Sequence, residues 1–154
     1  MSKDKIFIFD TTLRDGAQTE GVDFTVTDKV KIAKRLNDIG VDYIEGGWPG
    51  ANPTDTEYFN TPQKLDKSIF TAFGMTKKLG RSADNDPSLA PILNANTKAV
   101  CIVGKTWDFH VDVALGITKD ENLINIKETA KYFIKNSREF IFDAEHFFDG
   151  YKNN

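Results

Sequence analysis

The chain has almost no cysteine. Cys101 stands alone, inside the apolar run Ala99 to Val103. No disulfide can form within the chain, which fits a reducing compartment and gives the expectation of a cytoplasmic protein. A single thiol in an apolar run is expected to be an inert core residue. Long hydrophobic runs are also missing. Met1 to Lys5 leads into only Ile6-Phe7-Ile8-Phe9 before Asp10. That is too short for a secretory leader, and no stretch approaches the roughly 18 apolar residues of a membrane span. Charge of one sign is lacking too: 20 basic residues face 23 acidic ones, for a net charge of −3. Neither a nucleic acid nor a membrane surface is an expected partner. No Gly-x-Gly-x-x-Gly or Walker string follows any apolar run, which disfavours a nucleotide-binding sheet. No low-complexity linker breaks the sequence.

What is present is ordinary for a globular protein: 154 residues, 40% hydrophobic and 28% charged. That length supports one domain with a substantial core. The first expected strand is Lys5 to Phe9. Thr27 can cap a helix from Asp28 to Ile39, ended by Gly40. A second strand, Tyr43 to Glu45, runs into Gly46-Gly47-Trp48-Pro49-Gly50. Asn52 or Thr54 can cap a short helix from Asp55 to Phe59, extended weakly to Leu65. A third strand covers Ile69 to Phe73. Asp86-Pro87 is a helix start for Ser88 to Ala95. The fourth strand is Ala99 to Val103, and Val111 to Leu115 suits a helical turn. Thr118 with Glu121 forms a capping box. The helix it opens places Leu123, Ile126, Ala130, Phe133 and Ile134 on one stripe, interrupted by Lys127, and ends near Asn136. The fifth strand is Phe140 to Phe142.

The order is β-α-β-α-β-α-β-α-β. The strands are short, apolar and not alternating, as in parallel sheets buried on both faces. Units of roughly 30 residues suit a doubly wound sheet or a β/α barrel. Polar residues gather just past each strand. They are Arg14, Asp15 and Gln18 after the first, Glu45 in the second, and Thr76 after the third. Lys105, Trp107, Asp108 and His110 follow the fourth, and Asp143, Glu145 and His146 the fifth. In β/α barrels that rim carries the active site. Structural roles compete at each position. Glu45 can pair with Arg14 simply to hold it. His110 can be a hydrogen-bonded loop residue or a substrate contact. Lys105 is expected to be solvated, Trp48 and Trp107 to pack, and Phe147-Phe148 to lie under a neighbouring segment.

Asp10-Thr11-Thr12-Leu13-Arg14-Asp15-Gly16-Ala17-Gln18 resembles the strand-one signature of the DRE-TIM metallolyase (HMGL-like) superfamily. Tyr43 to Gly50 and Phe142 to Lys152 are similar to its citramalate synthase and 2-isopropylmalate synthase branch. The likeness covers the whole chain in order. It implies a TIM (β/α)8 barrel, of which this chain holds about the first five strands with their helices. It implies an acyltransferase that condenses acetyl-CoA with a 2-oxo acid, pyruvate giving (R)-citramalate, in branched-chain amino-acid biosynthesis. A divalent cation, Mg²⁺, Mn²⁺ or Zn²⁺, would polarise the ketone. Asp15 matches a metal ligand, and Arg14 would stabilise charge on an oxygen. Glu145 matches a residue near the reacting atoms. Arg14, Gln18, Glu45 and His110 match substrate-lining positions. A homodimer is implied for the full-length enzyme.

A full barrel takes eight strands and about 250 residues. The family's His-x-His metal ligands have no counterpart here. Residues 1–154 are therefore expected to be the N-terminal part of the barrel domain, inactive alone and prone to associate through open edges. Two readings compete with the condensing enzyme. One is a carbon–carbon lyase of the hydroxymethylglutaryl-CoA type. The other is a non-catalytic half-barrel that needs a complementing chain.

Overall fold

A computed structural model describes residues 5–153. Five strands form one sheet: β1 (Phe9–Asp10), β2 (Tyr43–Gly47), β3 (Ile69–Met75), β4 (Ala99–Lys105) and β5 (Glu139–Glu145). Every neighbouring pair is parallel, and the spatial order is the chain order. A doubly wound sheet reverses direction at a switch point. This sheet never reverses, so right-handed crossovers put the helices on one face. The other face is concave. Tyr43 on β2 donates a hydrogen bond to Glu139 Oε1 on β5 at 2.5 Å, across β3 and β4. On a flat sheet those strands would lie about 14 Å apart. The sheet is curled into half of a TIM barrel.

That hydrogen bond gives a pH test of the curvature. Glu139 holds the Tyr43 phenol proton and pushes its pKa up to about 12. In the unfolded chain a phenol ionises near pH ~10. Between those values the folded state keeps a proton that the unfolded state has lost, so stability falls as pH rises through the window. Tyr43→Phe is expected to flatten that fall. Urea midpoints measured on both sides of the window check it.

Strand alternation divides the core. On the concave side Phe73, Cys101 and Val103 pack with Phe9, Trp48, Met75 and Ile141. On the convex side Ala72, Val100 and Ile102 pack under the helices against Leu89, Ile92 and Phe133. Ile44 meets Leu13, Ala33, Val41 and Tyr58 beside them. Cys101 is buried, as expected of an inert thiol, and burial pushes its pKa up.

Helix α1 (Val26–Ile39) starts earlier than the sequence suggests. Its cap is Thr25, not Thr27, because Asp28 sits three residues on and completes a reciprocal box with Thr25. Gly40 ends the helix in the left-handed region at φ 87. Helix α2 (Pro53–Asn60) is capped by Asn52 with Pro53 in its first turn, and stops short of Leu65. Helix α3 (Leu89–Asn94) follows Asp86, whose carboxylate accepts from Ser88 N and Lys78 N. A single turn, α4 (Asp108–His110), continues as a π-helical turn over Val111–Leu115. Helix α5 (Lys119–Lys135) opens on the expected Thr118–Glu121 box. Its buried side differs from the apolar stripe read from the sequence. Asn122, Asn125, Thr129 and Phe133 face inward, while Leu123 and Ile134 are 62% and 61% exposed. The reason is hydrogen bonding to groups far away in the chain. Asn122 donates to Lys105 O, and Thr129 accepts from Lys77 N. The helix seats against strand-end backbone groups, which demand polar partners.

Both ends of the sheet depart from expectation. β1 is two residues long, and Ile6, Phe7 and Ile8 are exposed. Ile8 O accepts from Asp42 N and Tyr43 N, but no strand among the described residues covers the other side. β5 is the opposite edge. Beyond it, helix α6 (Phe147–Asn153) leaves Phe147, Phe148 and Tyr151 exposed instead of packed under a neighbour. Among the described residues no helix is long and apolar enough to cross a membrane.

Candidate functional site

The site begins with a turn. The amides of Arg14, Asp15 and Gly16 all donate to Thr11 O, and the Asp10 carboxylate accepts from Thr12 N. Leu13, fully buried, pins the turn to the core under α1. The neighbouring Arg14 and Asp15 are thereby turned toward a cleft of about 770 Å³ at the C-terminal ends of the strands. Arg14, Asp15, Gln18, Trp48, Lys105, Asp143 and Glu145 line it.

Arg14 is held on three sides. Its Nε donates to Glu45 Oε2 at 2.7 Å and its Nη1 to Asp15 Oδ1 at 3.0 Å. The guanidinium carbon lies 4.0 Å from the Phe73 ring centroid, a cation–π contact. Glu45 is 1% exposed and sits behind the cleft, not in its lining. Burial pushes its carboxyl above the ordinary range, and Arg14 pulls the other way. Glu45 Oε1 has no hydrogen-bond partner among the described residues. Of the two roles open for Glu45 in the sequence, the geometry displays the buttress of Arg14.

Glu145 pairs with Lys105 Nζ across the β4–β5 rim. Lys105 is thus not the solvated residue expected from the sequence. It lines the cleft, as does Asp143. A signal for both was available. On a period of two they share a face with Cys101, Val103 and Ile141, which form the concave core. His110 stands apart. Its ring lies 4.8 Å from Trp107 and 4.3 Å from His146 between centroids. His146 Nδ1 is 3.2 Å from Asp149 Oδ2. Neither histidine lines the cleft. Trp48 does, while also packing edge-on against Phe73 at 5.5 Å.

At the base of the cleft is a pair that the sequence did not announce. Lys29 of α1 is only 3% exposed. It donates to Leu13 O at 2.8 Å, to Gly46 O at 3.0 Å, and to Asp55 Oδ1. Asp55 also accepts from Trp48 N at 2.9 Å and Asn52 Nδ2 at 3.1 Å. A lysine on an amphipathic helix reads as solvent-facing, so periodicity carried no sign of this.

A divalent cation needs several oxygen or nitrogen ligands. Among the described residues no group of three or more His, Cys, Asp or Glu side chains could hold one. Asp15 offers one carboxylate, already bonded to Arg14. These side chains alone do not fit a closed metal site.

Parallel strands wound in one direction, with acids and bases facing one another at one rim, define a β/α-barrel protein of the type that works at its strand ends. The chain belongs to the HMGL-like family, whose model matches residues 5–152. It is 49% identical over 153 residues to the (R)-citramalate synthase of Aquifex aeolicus, covering 98% of this chain and 29% of that protein. It is 47% identical to that of Geobacter sulfurreducens, covering 96% and 28%. The 2-isopropylmalate synthase 1 of Caldanaerobacter subterraneus is 35% identical over 147 residues, covering 94% and 36%. The chain thus spans less than a third of the length of the citramalate synthases it matches. In fold it is similar to the hydroxymethylglutaryl-CoA lyase of Pseudomonas aeruginosa, with a TM-score of 0.68 at 17% identity, covering 90% of this chain and 45% of that one.

Proposed function

We propose that this chain is the N-terminal part of the barrel domain of an acyltransferase that condenses acetyl-CoA with pyruvate to give (R)-citramalate. The carrying observation is the cleft itself: Arg14, fixed by Glu45 and Asp15, shares it with Gln18 and Glu145. The identity to citramalate synthases, 45–49% across nearly the whole chain, favours pyruvate over the longer 2-oxo acid of the 2-isopropylmalate synthases, at 34–36%.

Carbon–carbon bond formation at a ketone places negative charge on its oxygen. A fixed guanidinium aimed at that oxygen stabilises the charge without reorganising, which is the larger part of such catalysis. Arg14 supplies that group, and Gln18 a neutral donor beside it. Glu145, paired with Lys105 at the rim, orients the substrate or carries a proton. Water then hydrolyses the product thioester. Asp15 would give one carboxylate to a divalent cation whose remaining ligands come from outside these residues. The rest of the barrel would cover β1, β5 and the exposed Ile6–Ile8 and Phe147–Phe148 surfaces. A cytoplasmic homodimer is the assembly proposed for the whole enzyme.

The test mixes the purified chain with a polypeptide carrying the remaining strands of a citramalate synthase barrel. CoA release is followed with acetyl-CoA, pyruvate and Mg²⁺ or Mn²⁺. No turnover is expected from the chain alone, and turnover with pyruvate preferred is expected from the mixture. Turnover by the chain alone overturns the fragment reading. Cleavage of hydroxymethylglutaryl-CoA by the mixture replaces the condensing reading with a lyase. A stable but inert complex leaves a non-catalytic half-barrel.

A further inference from the structure

An ammonium group has three N–H donors and no acceptor. Lys29 directs its three to Leu13 O, Gly46 O and Asp55. None remains for a ligand, so Lys29 is not a substrate-binding group, although it reaches the base of the cleft. The two carbonyls lie beside the ion pair. Leu13 immediately precedes Arg14, and Gly46 immediately follows Glu45. One buried cation therefore ties together the two backbone segments that present the Arg14–Glu45 ion pair. Asp55 extends the tie to the β2 loop through Trp48 N and Asn52 Nδ2. Gly47 fits the same arrangement. A Cβ there would stand 2.6 Å from the Asp55 carboxyl carbon.

We propose that Lys29 and Asp55 are positioning residues: the pair locks the β1 and β2 loops in register and so sets the bearing of the Arg14 guanidinium on Glu45 and on the cleft. The geometry stands without any assigned chemistry. Its consequence for catalysis rests on the condensing reading above.

A pair that only stabilises the fold would behave differently. Lys29→Met/Asp55→Asn removes both charges together and leaves no buried ion unpaired, so the fold is expected to survive. The measurement is hydrogen exchange at the Arg14 Nε–H, followed by ¹⁵N NMR on the chain alone. Exchange is expected to accelerate by about tenfold or more as the Glu45 bond becomes intermittent. Asp55→Asn, which keeps the side chain's shape, is the second arm, with a smaller acceleration expected. In a completed barrel the double variant is expected to lose about 100-fold in kcat, the cost of a misplaced group, with KM for pyruvate nearly unchanged. Unchanged Arg14 exchange in either folded variant overturns the proposal. So does the loss of fold in both, which would make the pair a stability element alone. If the completed wild-type barrel releases no CoA, the condensing reading fails while the exchange result still decides the positioning role.

Discussion

Arg14→Met lowers the unfolding free energy by about 3–5 kcal/mol, the cost of leaving a buried charge without its partner. Against a total stability of about 5–15 kcal/mol, that is a large fraction. Glu45→Gln should cost far less, about 0–1.5 kcal/mol, the range of an ordinary hydrogen bond. The asymmetry follows from burial. Glu45 is sealed behind the cleft, and Arg14 is its only side-chain ion-pair partner among the described residues. Arg14 is partly open to the cleft and keeps Asp15 when Glu45 is neutral. The amide of glutamine still offers an oxygen to Arg14 Nε. Proton linkage supplies an internal control. The Glu45 carboxyl already lies above the ordinary range because burial outweighs Arg14. A carboxyl so raised holds its proton more tightly in the folded state. Stability is therefore lost as pH rises from the ordinary carboxylate value through the raised one. Removing Arg14 raises it further, so the Arg14→Met penalty should shrink in acid, where Glu45 is protonated. Urea titrations of both variants near neutral pH and in acid measure this. Equal losses from the two substitutions would show that the pair is not buried as described.

Gly47→Ala is expected to cost about 2–4 kcal/mol, combining backbone strain with overpacking. Gly47 has φ +145, a conformation that side-chain-bearing residues rarely adopt. Its missing Cβ is also the space that the Asp55 carboxylate occupies, with both oxygens 2.7 Å from an added Cβ. That carboxylate cannot swing away without releasing Lys29 and the Trp48 amide. Gly21→Ala is the matched control. Gly21 has φ +80 but open space around it, so only the backbone term of about 1 kcal/mol applies. Thermal melts should separate them, with a fall of about 10 °C for Gly47→Ala and a few degrees for Gly21→Ala. Similar melting points for the two would remove the Asp55 carboxylate as the obstacle.

The architecture was legible because it rests on local rules. Short apolar runs at a steady interval placed β2 to β5, and the Thr118–Glu121 box and Gly40 marked helix ends where they occur. Differences arise where a single partner, near in the chain or far along it, decides a residue's place. Thr25 and Thr27 are equally good caps in isolation, and only the Asp28 carboxylate, three residues after Thr25, decides between them. α5 turns Asn122 and Thr129 inward because backbone groups at the end of β4 and just past β3 wait there. Ile6–Ile8 reads as a buried strand, but at a sheet edge it meets one neighbour only. At the rim, Arg14, Asp15, Gln18 and Glu145 were visible as polar residues ending apolar strands. Lys105 needed the strand's alternation carried one step past its apolar run. Lys29 and Asp55 were invisible, since they pair across 26 residues and their other partners are largely backbone carbonyls and amides that no side-chain pattern encodes.

A sheet that pairs each strand only with the next in the chain also has an order of assembly built into it. Every new β-α unit leaving the ribosome finds its docking edge already made, so no strand must wait for a distant partner. Closing such short loops costs little entropy, and a doubling of loop length adds only about 0.6 kcal/mol. Among the described residues, the side-chain hydrogen bond that breaks this neighbour-by-neighbour rule most widely joins Tyr43 to Glu139, 96 residues apart. It can form only after β3 and β4 have bent the sheet. The curl that brings the charged loops together is cumulative over four strand pairings, so the geometry of the rim depends on all five strands being in place.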